Sequence, residues 1–254
     1  MRTITPLALA ILLAPMAAHA DKTDPYLAEA QRPDARVVLA PPPAPGSPSY
    51  TADMLIFQET RALEGTERWV MATDDAPISI ASLMALFACA LDRDIDADRL
   101  PRLATIIARL AVDGDAVLDD AKAHFRRPRP FQSARGSVCQ AREDLLHSYD
   151  YPSGHATFGW LVGLLMAELA PDRATAVLAR ARAYGESRIV CGAHNASSVD
   201  AGVMTGSAIF AALHASPAFR ADLDAARGEL AAFLAATPAK RTACPRAPSA
   251  PLQR

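Results

Sequence analysis

The chain has 254 residues, 51% of them apolar and 21% charged, with 26 basic side chains against 28 acidic ones. That composition excludes a disordered polyelectrolyte and supplies enough apolar surface for a sizeable buried core. A formal net charge of -2 gives no global attraction to nucleic acid or to an anionic membrane, so any bound anion has to be held by a local group of cations.

Residues 1–20 carry one basic residue, Arg2, an apolar stretch from Leu7 to Leu13, and Ala18-His19-Ala20 ahead of Asp21. This pattern predicts a signal peptide cleaved after Ala20, and with it a periplasmic or secreted protein. Residues 21–51 form an N-terminal segment in which Arg32 to Ser49 is proline-rich and has no period of 2 or 3.6, so an extended strap over the surface is expected there. Helical patterns follow over 52–71, 78–92, 98–112, 114–126, 154–169, 172–185, 195–214 and 217–236, with no sustained strand alternation. Leu100, Leu103, Ile107 and Leu110 line one helical face, as do Phe219, Leu223, Ala226, Leu230 and Phe233, and Ser216-Pro217 supplies an N-cap and an N1 proline. The run from Ala156 to Ala170 is apolar on every side yet shorter than the ~20 residues that span a bilayer, which makes it the expected central core helix and leaves no membrane span. The reading is one all-α helical bundle over 52–236, followed by a fraying Pro/Ala/Arg-rich tail over 237–254.

Four cysteines remain after export, Cys89, Cys139, Cys191 and Cys244, and they allow three complete disulfide connectivities. None has the CxxC or Cys/His spacing of a zinc site, so no metal is expected. Cys89 lies in the apolar run Leu83 to Leu91 and reads equally well as a buried thiol.

Chemistry concentrates at three places. Lys122 and Arg129 lie about two helical turns apart, which would put both cations on one face, although Pro128 and Pro130 should turn the chain out of the helix near Arg129. Together they suit a tetrahedral oxyanion, the ammonium as a point charge and the guanidinium as a fork. Pro152-Ser153-Gly154-His155 opens the core helix, where a hydroxyl, free amides and the positive end of the helix dipole favour an anion and His155 can exchange a proton near neutral pH. Arg188 and His194 then add a third cation and a second imidazole before the next helix. Taken singly, each has an ordinary explanation: a solvated basic surface, a helix cap, a surface arginine. Three cations, two histidines and an anion-favouring helix start at ordered spacing form a phosphate-type site.

Lys-x6-Arg-Pro, Pro-Ser-Gly-His and Ser-Arg-x5-His resemble the signature of the PAP2 phosphatase superfamily, which also contains the vanadium haloperoxidases. More closely, the chain resembles the bacterial class A non-specific acid phosphatases. The likeness extends to Leu39-Ala-Pro-Pro-Pro-Ala in the strap, Val190-Cys-Gly-Ala-His in the third motif and Leu213-His-Ala-Ser-Pro-Ala-Phe before the last helix. It implies an all-helical fold, hydrolysis of small-molecule phosphate monoesters without a metal or other cofactor, a periplasmic location, a homo-oligomer and a Cys139–Cys191 disulfide. It makes His194 the nucleophile that becomes a phosphohistidine and His155 the general acid and base. Lys122, Arg129, Arg188, Ser153 and the Gly154 amide would hold the equatorial oxygens. The same pocket in a haloperoxidase would hold vanadate, and a periplasmic phosphate-binding protein with weak catalysis is the third reading.

One position departs from the pattern. The motif places an Asp four residues after the nucleophilic histidine, where it accepts the Nδ1 proton, and this chain has Ser198 there. Asp200 lies further on, and at about 100° per residue it points roughly 120° away from the His194 face. Ser198 and Asp200 are the candidates to orient His194, and losing the carboxylate of such a pair can cost about 10⁴ in kcat.

Overall fold

The computed structural model describes residues 23–240 and Cys244; the expected signal peptide and most of the expected tail lie outside the described residues. Twelve α-helices and no strand occur among the described residues: α1 Ala35–Val38, α2 Pro48–Thr60, α3 Glu67–Asp74, α4 Ile80–Ala85, α5 Ala88–Leu91, α6 Pro101–Phe125, α7 Pro130–Ser133, α8 Arg142–Leu146, α9 Gly154–Leu169, α10 Ala174–Val190, α11 Ala196–Leu213 and α12 Pro217–Ala236. The protein is all-α, as its periodicity predicts.

Helix α9 is the centre of the bundle. Leu161, Val162, Leu165 and Met166 are all buried, each removing an apolar side chain from water at a gain of about 1.5–3 kcal/mol. Helices α10 and α11 pack along it, and α6 and α12 close the core on the other side. The contact with α11 is close because Gly202 has no side chain: a Cβ there would lie 2.6 Å from the Ser153 carbonyl oxygen and 2.9 Å from Ala156 Cβ. Helix α11 also has the length and apolar composition of a membrane span, which the sequence reading did not expect; half of that stretch is buried inside the bundle, as in a core helix.

Several boundaries differ from expectation, each for a packing reason. The two helices expected over 98–112 and 114–126 are the single helix α6, because Gly114 does not break it. That glycine instead admits Phe158, whose Cε1 would stand 2.4 Å from a Cβ at this position. Asp113 beside it is fully buried and accepts the Tyr26 and Leu27 amides at 2.9 and 3.1 Å, so it fastens the N-terminal segment to the core. The helix expected over 78–92 divides into α4 and α5, and Phe87 at the division is fully buried. The helix expected over 52–71 becomes α2, a 3-10 turn over Arg61–Leu63, and α3. The strap is not wholly extended: Asp34 caps the helical turn α1 through the Arg36 amide, and Ser47 starts α2 at Pro48. Between them Leu39 is buried in the core, and Tyr151 donates to the Ala40 carbonyl at 2.8 Å, tying the strap to the segment before α9.

Both disulfides are formed, Cys139–Cys191 and Cys89–Cys244, and no cysteine is free. Cys89 is therefore not the buried thiol its apolar surroundings allowed. Its bond reaches position 244 in the expected tail, where Lys240 also donates its amide to the Asp92 carbonyl at 2.9 Å.

Candidate active site

Lys122 and Arg129 come together, but not on one helix face. Helix α6 ends at Phe125, Arg126 caps it with a left-handed φ of 48°, and Arg129 becomes the N-cap of α7. The two cations converge instead on the segment before α9. Lys122 Nζ donates to Ser148 Oγ at 2.8 Å and to the Tyr149 carbonyl at 2.7 Å, and Arg129 Nε donates to the Ser148 carbonyl at 2.8 Å. Burial, then repulsion from Arg129, lowers the Lys122 ammonium to about 8.

Arg188 stands near the C-terminal end of α10 and is fully buried. Its Nη2 donates to Gln140 Oε1, while Nε and Nη1 have no hydrogen-bond partner among the described residues. Burial and the nearby Arg129 lower this guanidinium to about 10. Two unpartnered donors on a buried cation are costly, and an anion is the partner that would satisfy both.

His194 sits at the turn between α10 and α11. Gly192, at φ 77°, makes that turn in a backbone region that suits glycine, and a Cβ there would meet Arg61 Nη1 at 2.5 Å and the Ser137 carbonyl at 2.9 Å. Arg61 donates to the Ile189 and Val190 carbonyls at 3.1 and 2.6 Å, satisfying the buried C-terminal end of α10 with a cation. The Cys139–Cys191 bond and the Cys139 amide on the Cys191 carbonyl brace the same turn.

The His194 ring is oriented by a residue that the sequence reading did not single out. Its Nδ1 lies 2.8 Å from the Asp150 carbonyl and 2.9 Å from Asp150 Oδ1. Both are acceptors, so Nδ1 carries the proton and Nε2 keeps its lone pair, toward which Arg129 Nη1 points at 3.1 Å. Desolvation, reinforced by Arg129, Lys122 and Arg188, holds the His194 pKa well below 6.5 and the ring neutral. Neither proposed orienting residue contacts His194 as expected. Ser198 is buried and donates to Asp150 Oδ2 at 2.5 Å, and Asp200 is exposed on α11. Asp150 is fully buried, with its Oδ2 also held by Asn195 Nδ2 at 2.7 Å and by Arg127 Nε at 3.5 Å. Burial raises its pKa, opposed first by Arg127 and then by the Ser198 and Asn195 hydrogen bonds.

Ser153 is the N-cap of α9, its hydroxyl accepting from the Ala156 amide at 3.4 Å and its amide donating to the Ser198 carbonyl at 2.9 Å. Gly154 and His155 occupy the first turn, where helix amides lack intrahelical partners. His155 Nε2 lies 2.9 Å from the Ala76 carbonyl, and the ring stacks on Tyr184 with centroids 5.9 Å apart. A carbonyl can only accept, so Nε2 holds a proton there and Nδ1 is the atom left to exchange one. Desolvation first, then Arg188, pushes the His155 pKa well below 6.5.

A supporting network lies behind these groups. Arg127 pairs with Asp53 at 2.7 Å and donates to Ser197 and Ser198, joining α2 to the start of α11. Ser187 donates to Asp75 at 2.6 Å and accepts from Arg68 at 3.0 Å, and Asp75 also pairs with Arg180. Asp53, Asp75, Arg127 and Asn195 were missed because their partners are far away in sequence. Asp150 left one legible signal, an acid directly before Tyr151-Pro-Ser-Gly-His155 in a chain whose motif lacks its acid at 198.

The PAP2 superfamily profile matches residues 100–221, a stretch that contains every motif residue described above. The chain is 42% identical over 217 residues to an acid phosphatase of Zymomonas mobilis, covering 85% of this chain and 82% of that protein. It is 31% identical over 214 residues to a non-specific acid phosphatase of Salmonella typhimurium, covering 83% and 86% of the two chains, and 32% identical over 209 residues to one of Providencia stuartii, covering 81% and 84%. The chain belongs to the PAP2 superfamily.

Proposed function

We propose that this protein is an exported acid phosphatase that hydrolyses phosphate monoesters through a phosphohistidine at His194, with no metal or other cofactor. The observation that carries the reading is the buried Arg188 with two unpartnered donors, next to a neutral histidine whose Nε2 keeps its lone pair. The named activity of the relatives supports it. Two disulfides fit an oxidising compartment.

The ester phosphate binds among Lys122, Arg129 and Arg188, with the Ser153 hydroxyl and the Gly154 amide completing the shell. These cations supply the charge stabilisation that phosphoryl transfer chiefly needs. The bound dianion also opposes the burial and the Arg188 repulsion that together depress the His155 pKa, which favours the imidazolium in the complex. His194 Nε2 attacks phosphorus in line; the N–P bond forms, the bond to the ester oxygen breaks, and His155 gives that oxygen its Nδ1 proton. His155 then takes a proton from water, the new O–P bond forms, the N–P bond breaks, and inorganic phosphate leaves.

Hydrolysis of p-nitrophenyl phosphate across acidic and neutral pH, with and without chelator, tests this. The wild type is expected to turn over in both conditions and His194→Ala to be inactive. A folded wild type that releases no phosphate overturns the phosphatase reading, and an active His194→Ala variant removes the nucleophile.

A further inference from the structure

Position 198 carries a serine where the superfamily motif carries the carboxylate that supports the nucleophilic histidine, yet a carboxylate is present, contributed by a different segment. We infer that Asp150 is the positioning residue for His194, and that the Asp150–Ser198 pair does in exchanged places what an acid at 198 would do. The inference rests on the phosphatase reading above.

Three observations carry it. Asp150 Oδ1 is 2.9 Å from His194 Nδ1, while Ser198 Oγ sits on the other carboxylate oxygen at 2.5 Å, so 150 and 198 are in direct contact around one ring. Asn195 donates its amide to Oδ1 at 3.2 Å and its Nδ2 to Oδ2 at 2.7 Å, and Arg127 reaches both Asp150 and the Ser198 hydroxyl. A buried carboxylate that receives this many donors is held in one geometry. Finally, the Asp150 main-chain carbonyl also accepts from Nδ1, at 2.8 Å. The carbonyl fixes the tautomer whatever the side chain, and the carboxylate contributes charge. When Nε2 bonds to phosphorus the ring becomes cationic; the Nδ1 proton stays on nitrogen and its bond to Oδ1 strengthens, with no proton transferred.

This division of labour sets the expected sizes. Asp150→Asn keeps the carbonyl and loses the charge, so kcat should fall roughly 10²-fold, less than the ~10⁴-fold that follows when an orienting Asp is lost along with the tautomer. Inorganic phosphate, used as a competitive inhibitor, should bind within about twofold of wild type, because the three cations are untouched. Ser198→Asp alone places a second buried carboxylate against the first and should be slower than wild type, not faster. The double variant Asp150→Ser/Ser198→Asp restores one acid and one hydroxyl and should recover to within about tenfold of wild type, well above either single change.

The experiment measures kcat, KM and phosphate inhibition for these four proteins on p-nitrophenyl phosphate, with thermal unfolding as the check on folding. Asp150→Asn as fast as wild type, or a rate gain in Ser198→Asp, overturns the assignment of Asp150. If either single variant fails to fold, the double variant decides: recovery supports the exchange and none refutes it. A silent wild type would instead overturn the phosphatase reading itself.

Discussion

At the residue scale, burial weakens the hold of two site cations on their protons, the Lys122 ammonium and the Arg188 guanidinium. Lys122 is held near 8 by burial and by Arg129, so it is charged below that pH and neutral above it. In the proposed mechanism only the Lys122 ammonium attracts phosphate, so kcat/KM, already falling at lower pH as His155 loses its proton, should show a further limb through about 8, and Lys122→Arg, whose charge persists, should move that limb to higher pH. A limb unmoved in the variant would assign it to another group. On the acid side, His194, the proposed nucleophile, stays neutral well below 6.5, where an ordinary imidazole would be protonated. Arg188→Met should lower kcat/KM by roughly 10²-fold or more, measured as initial rates at low substrate, since the donors it removes are the ones without protein partners. The motif histidines and cations were legible because their types and spacing are local properties. Asp150 left only its place before the Pro-Ser-Gly-His motif as a signal, since its importance comes from a neighbour 44 residues away in sequence.

At the scale of elements, the site is assembled by helix ends. The start of α9 and the start of α11 approach closely at Gly202, and Lys122 near the C-terminal end of α6 reaches the segment before α9. Gly202→Ala would put a methyl 2.6 Å from the Ser153 carbonyl and push the two helices apart. It should lower stability by about 1–3 kcal/mol and raise KM, read by denaturant unfolding and steady-state kinetics. A variant with unchanged stability and KM would mean that the contact is slack. Helix α6 illustrates why boundaries were less legible than helices: Gly114 looks like a break in the sequence, and only the Phe158 ring against it shows that it is a packing site. The cap at Ser216, by contrast, was readable because capping is local; its hydroxyl accepts from the Phe219 amide at 3.4 Å.

Across the whole molecule, the disulfides divide their duties. Cys139–Cys191 closes a separation of 52 residues and braces the turn that carries His194, whereas Cys89–Cys244 closes one of 155 residues and ties the end of the chain back to α5. Loop-closure entropy allows each up to roughly 4–5 kcal/mol. Replacing both cysteines of the 89–244 pair by serine should lower Tm with little change in kcat, while the same change at 139 and 191 should lower both; equal kinetics in the two variants would show that the His194 turn does not need its brace. The sequence by itself determined the helical class and the core helix and marked the three cations and both histidines as candidates, because periodicity and motif spacing act over a few residues. It left the cysteine partners open until a family likeness suggested one pair, and it pointed to Ser198 as the weak place in the site. Only the tertiary structure decided that Lys122 and Arg129 meet through a loop, that Cys89 is bonded, and that His194 leans on Asp150. Each of these depends on which distant segments share a buried volume, and that is settled by packing the whole chain at once.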